Sequence, residues 1–263
     1  METSYLSLDH LSYAYHGMHG ETCALTDISF SVKKGEFIAI VGPSGCGKST
    51  LLSLVAGLLT PESGKILFPM LSKDESPKIG YMLQRDHLFE WRTIYNNVIL
   101  GLELNHLCTP EKLARVDSYL KDYGLWDFRD KRPSELSGGM KQRAALIRTL
   151  ALEPELLLLD EPFSALDYQT RLQVSADICR IIRAEKKTAL LITHDLSEAI
   201  SISDRVIVLS NRPATVKVQI PIRLTLPDDS MLAARNAPEF KTYFNLLWEE
   251  LHDDTAGTIY QKT

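Results

Sequence analysis

Residues 35–50 read GEFIAIVGPSGCGKST. The first half, GEFIAIVG, is a nearly continuous apolar run closed by glycine, the pattern of a strand buried on both faces rather than one. The second half, GPSGCGKST (42–50), fits G-x-x-x-x-G-K-[ST] between that strand and an apolar helical run. Glycines let backbone N–H groups converge on phosphate oxygens, and the start of a helix adds positive potential there. In this pattern Lys48 reaches the β and γ phosphates and the Ser49 hydroxyl ligates Mg²⁺. Cys46 falls at the same helix N-terminus, where positive potential favours a thiolate. The helix is expected from Lys48 to about Leu59, stopped by Pro61.

Outward from this stretch, SYLSLDHLSYAY (4–15) and LTDISFSV (25–32) alternate apolar and polar residues, reading as strands joined by a turn over 16–22. From about 85 to 150 the pattern is helical. Buried-strand runs return at ELLLLDEP (155–162), TALLITHD (188–195) and DRVIVLS (204–210), separated by helical segments, which predicts a parallel sheet covered on both faces. VKVQIPIRLTL (216–226) alternates strictly; Pro221, unable to donate to a ladder, marks it as an edge strand. PEFKTYFNLLWEEL (238–251) sets Phe240, Tyr243, Phe244, Leu247 and Leu251 at helical spacing, a packing helix.

Composition narrows the class. The 263 residues are 44% hydrophobic and 24% charged, as in an ordinary globular protein, and suit one large domain. A net charge of -5 argues against nucleic acid as a partner. The basic clusters RDKR (129–132) and RAEKK (183–187) read as solvated faces. Cys23, Cys46, Cys108 and Cys179 lack the spacing of a zinc site or disulfide framework, which fits a reducing cytosol. The start of the chain lacks the pattern of a signal peptide. LLSLVAGLL (51–59) is about half the roughly 20 residues that a membrane span needs.

Four further signals accompany the loop. LLLLDE (156–161) ends a buried strand on two acids. Asp160 is placed to hold Mg²⁺ and Glu161 to accept a proton from water, although a capped strand end would also carry such acids. His194 stands just past a strand, where ligands gather in open parallel sheets, or is a satisfied core histidine. Gln84 ends the strand-like IGYM. LSGGMKQR (136–143) pairs Ser137 with Gly138 and Gly139 ahead of a helix. Alone it reads equally as a helix N-cap, and no Lys-[ST] pair follows it.

In that order the motifs resemble those of the nucleotide-binding subunits of ATP-binding cassette (ABC) transporters, over nearly the whole chain. GPSGCGKST resembles the Walker A motif, LSGGMKQR the signature, LLLLDEP the Walker B motif, SALD (164–167) the D-loop, Gln84 the Q-loop glutamine and His194 the switch histidine. Tyr15 in LSYAY occupies the place of the aromatic residue that stacks on adenine, with Tyr13 the alternative. The resemblance implies a P-loop NTPase fold with a RecA-like parallel α/β core, an N-terminal antiparallel β lobe and a helical lobe. One domain spans 1–263, with 1–35 and 62–82 antiparallel β with core strands, 85–155 helical, 156–210 core, and 211–263 a C-terminal edge strand and helix.

It further implies an ATPase that binds nucleotide through Tyr15, Gly42, Pro43, Ser44, Gly45, Cys46, Gly47, Lys48, Ser49, Thr50, Gln84, Ser137, Gly138 and Gly139. Mg²⁺ would be held by Ser49, Gln84 and Asp160, and catalysis assigned to Glu161 and His194. Two such subunits, identical in the simplest case, would meet head to tail, each LSGG completing the ATP site of the other chain. The partners implied are transmembrane permease subunits and a separate substrate-binding protein, at the cytoplasmic side of the membrane.

RDHLFEWRTIYNNVILGLEL (85–104), LSGGMKQR and SNRPATV (210–216) are similar to the nitrate, sulfonate and taurine importers, with one departure: where that group has Leu-Leu-Pro-Trp, this chain has Leu88-Phe89-Glu90-Trp91. An exporter subunit is the alternative within transport. A soluble P-loop kinase has no use for LSGG, and a non-transport ABC ATPase carries coiled coils or a second cassette.

Overall fold

The structure, a computed structural model, describes residues 4–17, 20–72, 75–226 and 231–259. The chain divides into two compact units, Met1–Pro77 with Thr188–Thr263, and Lys78–Lys187.

In the first unit, β1 (Leu6–Gly17) and β2 (Gly20–Val32) form an antiparallel hairpin, and β4 (Ser63–Leu67) lies antiparallel on the other edge of β1. The turn expected over 16–22 is tighter than that. Cross-strand pairs Tyr15↔Thr22 and His16↔Glu21 extend the ladder to Gly17↔Gly20, with φ +124° at Gly20, and residues 18–19 lie outside the described residues. The quoted apolar run forms β3 (Phe37–Val41), every residue of it buried. β7 (Thr188–Ile192) and β8 (Arg205–Leu209) flank it in parallel on both edges, and side chains such as Leu196, Ala199 and Ile200 cluster with its Ala39 and Val41. β9 (Val216–Pro221) adds antiparallel to β8 as the sheet edge, and Pro221 sits opposite Arg205 at its last rung. The expected strand thus stops five residues early, although Ile222 N still donates to Asp204 O.

Helices α1 (Lys48–Val55), α7 (Leu196–Ile202), α8 (Met231–Asn236) and α9 (Phe240–Ile259) belong to this unit. α1 ends at Val55 rather than near Leu59. Gly57, at φ +72°, donates to Leu54 O while Leu58 N donates to Ser53 O, the paired bonds of a glycine-terminated C-cap. The terminator is Gly57, six residues before Ser63, and not Pro61. α9 packs as its spacing predicts: Leu247 is fully buried against Val206, Val208 and Ile220, with Tyr243, Phe244 and Leu251 beside it.

In the second unit, β5 (Ile79–Met82) and β6 (Leu156–Asp160) pair in parallel, so β5 departs from the antiparallel pattern of β1, β2 and β4. The helical stretch resolves into α2 (Ile94–Val98), α3 (Leu100–Leu104), α4 (Pro110–Asp122) and α5 (Gly138–Leu150), with 3-10 turns at Trp126–Phe128 and Pro133–Glu135 and then α6 (Tyr168–Ala184). Among the described residues no helix is long and apolar enough to cross a membrane.

Candidate nucleotide site

In the first unit, β3 delivers the chain into the loop 42–47. Gly45 (φ +73°) and Gly47 (φ +124°) take left-handed conformations that side chains oppose, and a Cβ on Gly47 would stand 2.9 Å from Leu25 Cδ2. Gly47 is the N-cap of α1 and offers no side chain, so the first-turn N–H groups of α1 are not capped by one. Lys48 is 7% exposed, and its ammonium donates to the carbonyls of Gly42 and Pro43, each at 2.8 Å. Those two bonds offset the cost of burying the charge and hold it at the loop. Ser44, Gly45 and Ser49 are exposed, Thr50 is buried, and Gly42 and Pro43 lie half-buried.

Cys46 differs from expectation. It is 1% exposed, donates its backbone N–H to Pro43 O, and burial raises its thiol above the usual range despite the opposing field of Lys48. The helix-terminus potential loses to desolvation.

Tyr15 is 45% exposed, and its hydroxyl shares a 3.0 Å hydrogen bond with Thr50 Oγ1 of α1. Tyr13 stands edge-on to it, ring centroids 5.0 Å apart. Of the two, Tyr15 is the more exposed face. His194 follows β7, exposed between two anchored neighbours. Buried Thr193 contacts the Glu198 carboxylate through its hydroxyl, and Asp195 caps α7 by accepting from Ser197 N and Glu198 N at 2.8 and 3.2 Å. The chain had signalled neither anchor, although Asp195 opening an apolar helix is an N-cap pattern.

In the second unit, Asp160 closes β6 at 9% exposure. Glu161 next turns to φ +46°, rare for a non-glycine residue, costing about 1–3 kcal/mol and kept only where the surroundings enforce it. Ser164 does so: its N–H and hydroxyl both donate to Glu161 O, at 3.2 and 3.0 Å. Gln84 Nε2 donates to the same Ser164 hydroxyl at 3.3 Å, bringing Gln84, Ser164 and Glu161 into one hydrogen-bonded chain. Asp167, the last residue of SALD, caps α6, and hydrogen bonds from Thr170 hold its carboxyl below the usual range.

Ser137 is the N-cap of α5, accepting from Met140 N at 3.4 Å, and both Ser137 and Gly138 are exposed. Gly139 is buried for a separate reason. A Cβ there would lie 2.8 Å from Val174 Cγ2 and 2.9 Å from Thr170 Cγ2, so glycine lets α5 approach α6. Glu90, the departing residue in 88–91, has Lys141 of α5 at 4.0 Å. Asn97, fully buried, was not singled out by sequence. Its side chain accepts from Phe89 N (2.7 Å) and donates to the carbonyls of Phe89, Arg92 and Thr93, fixing 89–93 to α2. An amide at the i+3 position of the apolar pair Ile94 and Val98 was the available signal.

The pattern of the ABC transporter family matches residues 25–164. An uncharacterised ABC transporter ATP-binding protein of Bacillus subtilis is 46% identical over 95% of this chain and 96% of its own length. A nitrate import ATP-binding protein of Synechococcus elongatus is 36% identical over 97% of this chain and 96% of its own. A dimeric ATP-binding cassette solved in a post-hydrolysis state with ADP and Pi superposes with a TM-score of 0.69 at 29% identity, covering 83% of this chain and 99% of that one.

Proposed function

This chain belongs to the ABC transporter family as an ATP-binding, ATP-hydrolysing subunit, and we propose that it powers import of a small solute of the nitrate, sulfonate or taurine kind. The observation that carries the mechanism is the pair of glycine turns, each opening a helix. The first holds its own lysine, whereas the second has no cationic side chain of that kind and presents Ser137 and Gly138 to solvent. A second anion cradle has a use once it completes the site of another chain. The dimeric form of the solved cassette supports that reading.

In this mechanism Tyr15 stacks on adenine, the N–H groups of 44–50 and Lys48 hold the phosphates, and Ser137 with the start of α5 meets the γ-phosphate bound by the partner protomer. The Ser49 hydroxyl, the Asp160 carboxylate and the amide oxygen of Gln84 are hard oxygen donors of the type that Mg²⁺ takes. Mg²⁺ would supply charge neutralisation on the phosphates. Glu161 takes the proton of the attacking water, and His194, held by its two anchored neighbours, contacts the γ-phosphate region. Loss of the γ-phosphate removes the anion shared by both protomers and opens the dimer, a motion passed to permease subunits at the cytoplasmic face of the membrane. Solute reaches that permease from a separate binding protein.

The test mixes Lys48→Ala and Ser137→Arg protomers, each inactive alone, in the assembled transporter. Shared sites give mixed dimers with one site carrying both lesions and one carrying neither, so ATPase activity returns. Ser44→Cys and Ser137→Cys then crosslink between chains only with ATP. Inactive mixtures together with crosslinks confined within one chain would sink the reading.

A further inference from the structure

At the turn end of the β1–β2 hairpin, one residue along from Tyr15, His16, Glu21 and Glu62 bring one nitrogen and two carboxylate oxygens within 4.8 Å of one another. They come from three segments of one sheet. His16 and Glu21 are a directly opposed cross-strand pair, so their side chains share a face. Glu62 leads into β4 and is fixed by its N–H donating to Ser12 O at 3.0 Å. His16 Nε2 contacts Glu62 Oε1, whereas Glu21 forms no ion pair among the described residues. One imidazole therefore serves two carboxylates that repel each other, on a backbone that holds them together.

We propose that His16, Glu21 and Glu62 form a surface site for a divalent transition-metal ion of the Zn²⁺ type. An imidazole with two carboxylates suits Zn²⁺ and disfavours Mg²⁺ and Ca²⁺, which take all-oxygen sets. Three protein ligands leave the remaining position to water, as in an open rather than a closed zinc site. An ion there ties β1, β2 and the start of β4 together beside Tyr15, whose side chain leaves the strand on the opposite face.

The experiment uses the full chain without nucleotide, stripped by chelator, in a Cys23→Ser, Cys108→Ser background that removes the exposed thiols. Calorimetric titration with ZnCl₂ is expected to show one ion bound per chain, unaffected by millimolar Mg²⁺. His16→Ala and Glu62→Gln, both at exposed positions, each weaken it by at least about tenfold, since even outer-shell changes at metal sites cost 10–100-fold. With Cu²⁺ as probe, the electron paramagnetic resonance spectrum carries coupling to an imidazole nitrogen that His16→Ala abolishes. Absence of Zn²⁺ uptake, unchanged affinity in both variants, or nitrogen coupling that persists in His16→Ala overturns the proposal and leaves a surface ion pair.

Discussion

The turns that open α1 and α5 use glycine for opposite reasons. In the loop before α1, Gly45 and Gly47 are required by backbone conformation, both lying in the left-handed region. In the turn before α5, neither Gly138 nor Gly139 is left-handed, and Gly139 is required by the methyl groups of Val174 and Thr170. The first helix starts without a side-chain cap and its lysine is tied to the loop; the second is capped by Ser137 and carries no such lysine. Similar letters thus encode a left-handed loop closed around a lysine in one place and a close helix contact with an exposed end in the other. The unit of the first turn carries the buried lysine. The unit of the second carries the acids.

The sharpest way to separate the two units is Glu161→Gln. It leaves the loop 42–50 untouched, so nucleotide titration should give wild-type binding while hydrolysis falls about 10²–10⁴-fold, the usual contribution of a general base. Wild-type turnover would remove Glu161 from that role. The glycines themselves come next. Gly47→Ala places a side chain at φ +124° and against Leu25; strain and overpacking together cost about 2–6 kcal/mol. If that falls on the bound state, affinity for fluorescent ATP drops roughly 30-fold or more.

Gly139→Ala meets only side-chain methyls. Overpacking of about 1–3 kcal/mol, offset by ~1 kcal/mol of better helix propensity, should lower the urea midpoint modestly and leave nucleotide binding by the isolated chain intact. Equal loss of binding in both alanine variants would erase the distinction between the turns. The smallest effect concerns Cys46. Burial raises its folded-state thiol, so at neutral pH it holds less thiolate than an ordinary cysteine. Exposed Cys23 and Cys108 should take up maleimide first by intact mass, with Cys46 following only as the chain unfolds or as pH rises toward its raised value.

What could be read in the sequence was whatever depends on local pattern. β3 was legible because two-sided burial leaves an unbroken apolar run, and the loop after it because its conformation demands glycine at fixed spacing. Asp160, Glu161 and Ser137 were legible by their place at element ends. The end of α1 differs from the stop that Pro61 predicts because the left-handed turn at Gly57 closes the helix first. Burial of Cys46, the packing duty of Gly139 and the bonds of Asn97 were hidden for one reason: each is set by atoms distant in the chain, namely Leu209 near Gly42 and Cys46, Val174 under Gly139, and the folded-back 89–93 segment. The Ser164 bonds that hold Glu161 needed the actual turn, since SALD names the residues without showing what they bind.

The left-handed backbone of Glu161 bears on how this chain tolerates variation. A glutamate codon lies one base from glycine, the residue most at ease in that conformation. Glu161→Gly would relieve strain of about 1 kcal/mol while deleting the carboxylate. A library sorted for heat resistance or yield alone would therefore enrich chains that lack the proposed base. With Glu161 as the proposed base, only selection that reads turnover would keep the glutamate, which would make residue 161 a marker of whether a lineage is being maintained for work or merely for folding.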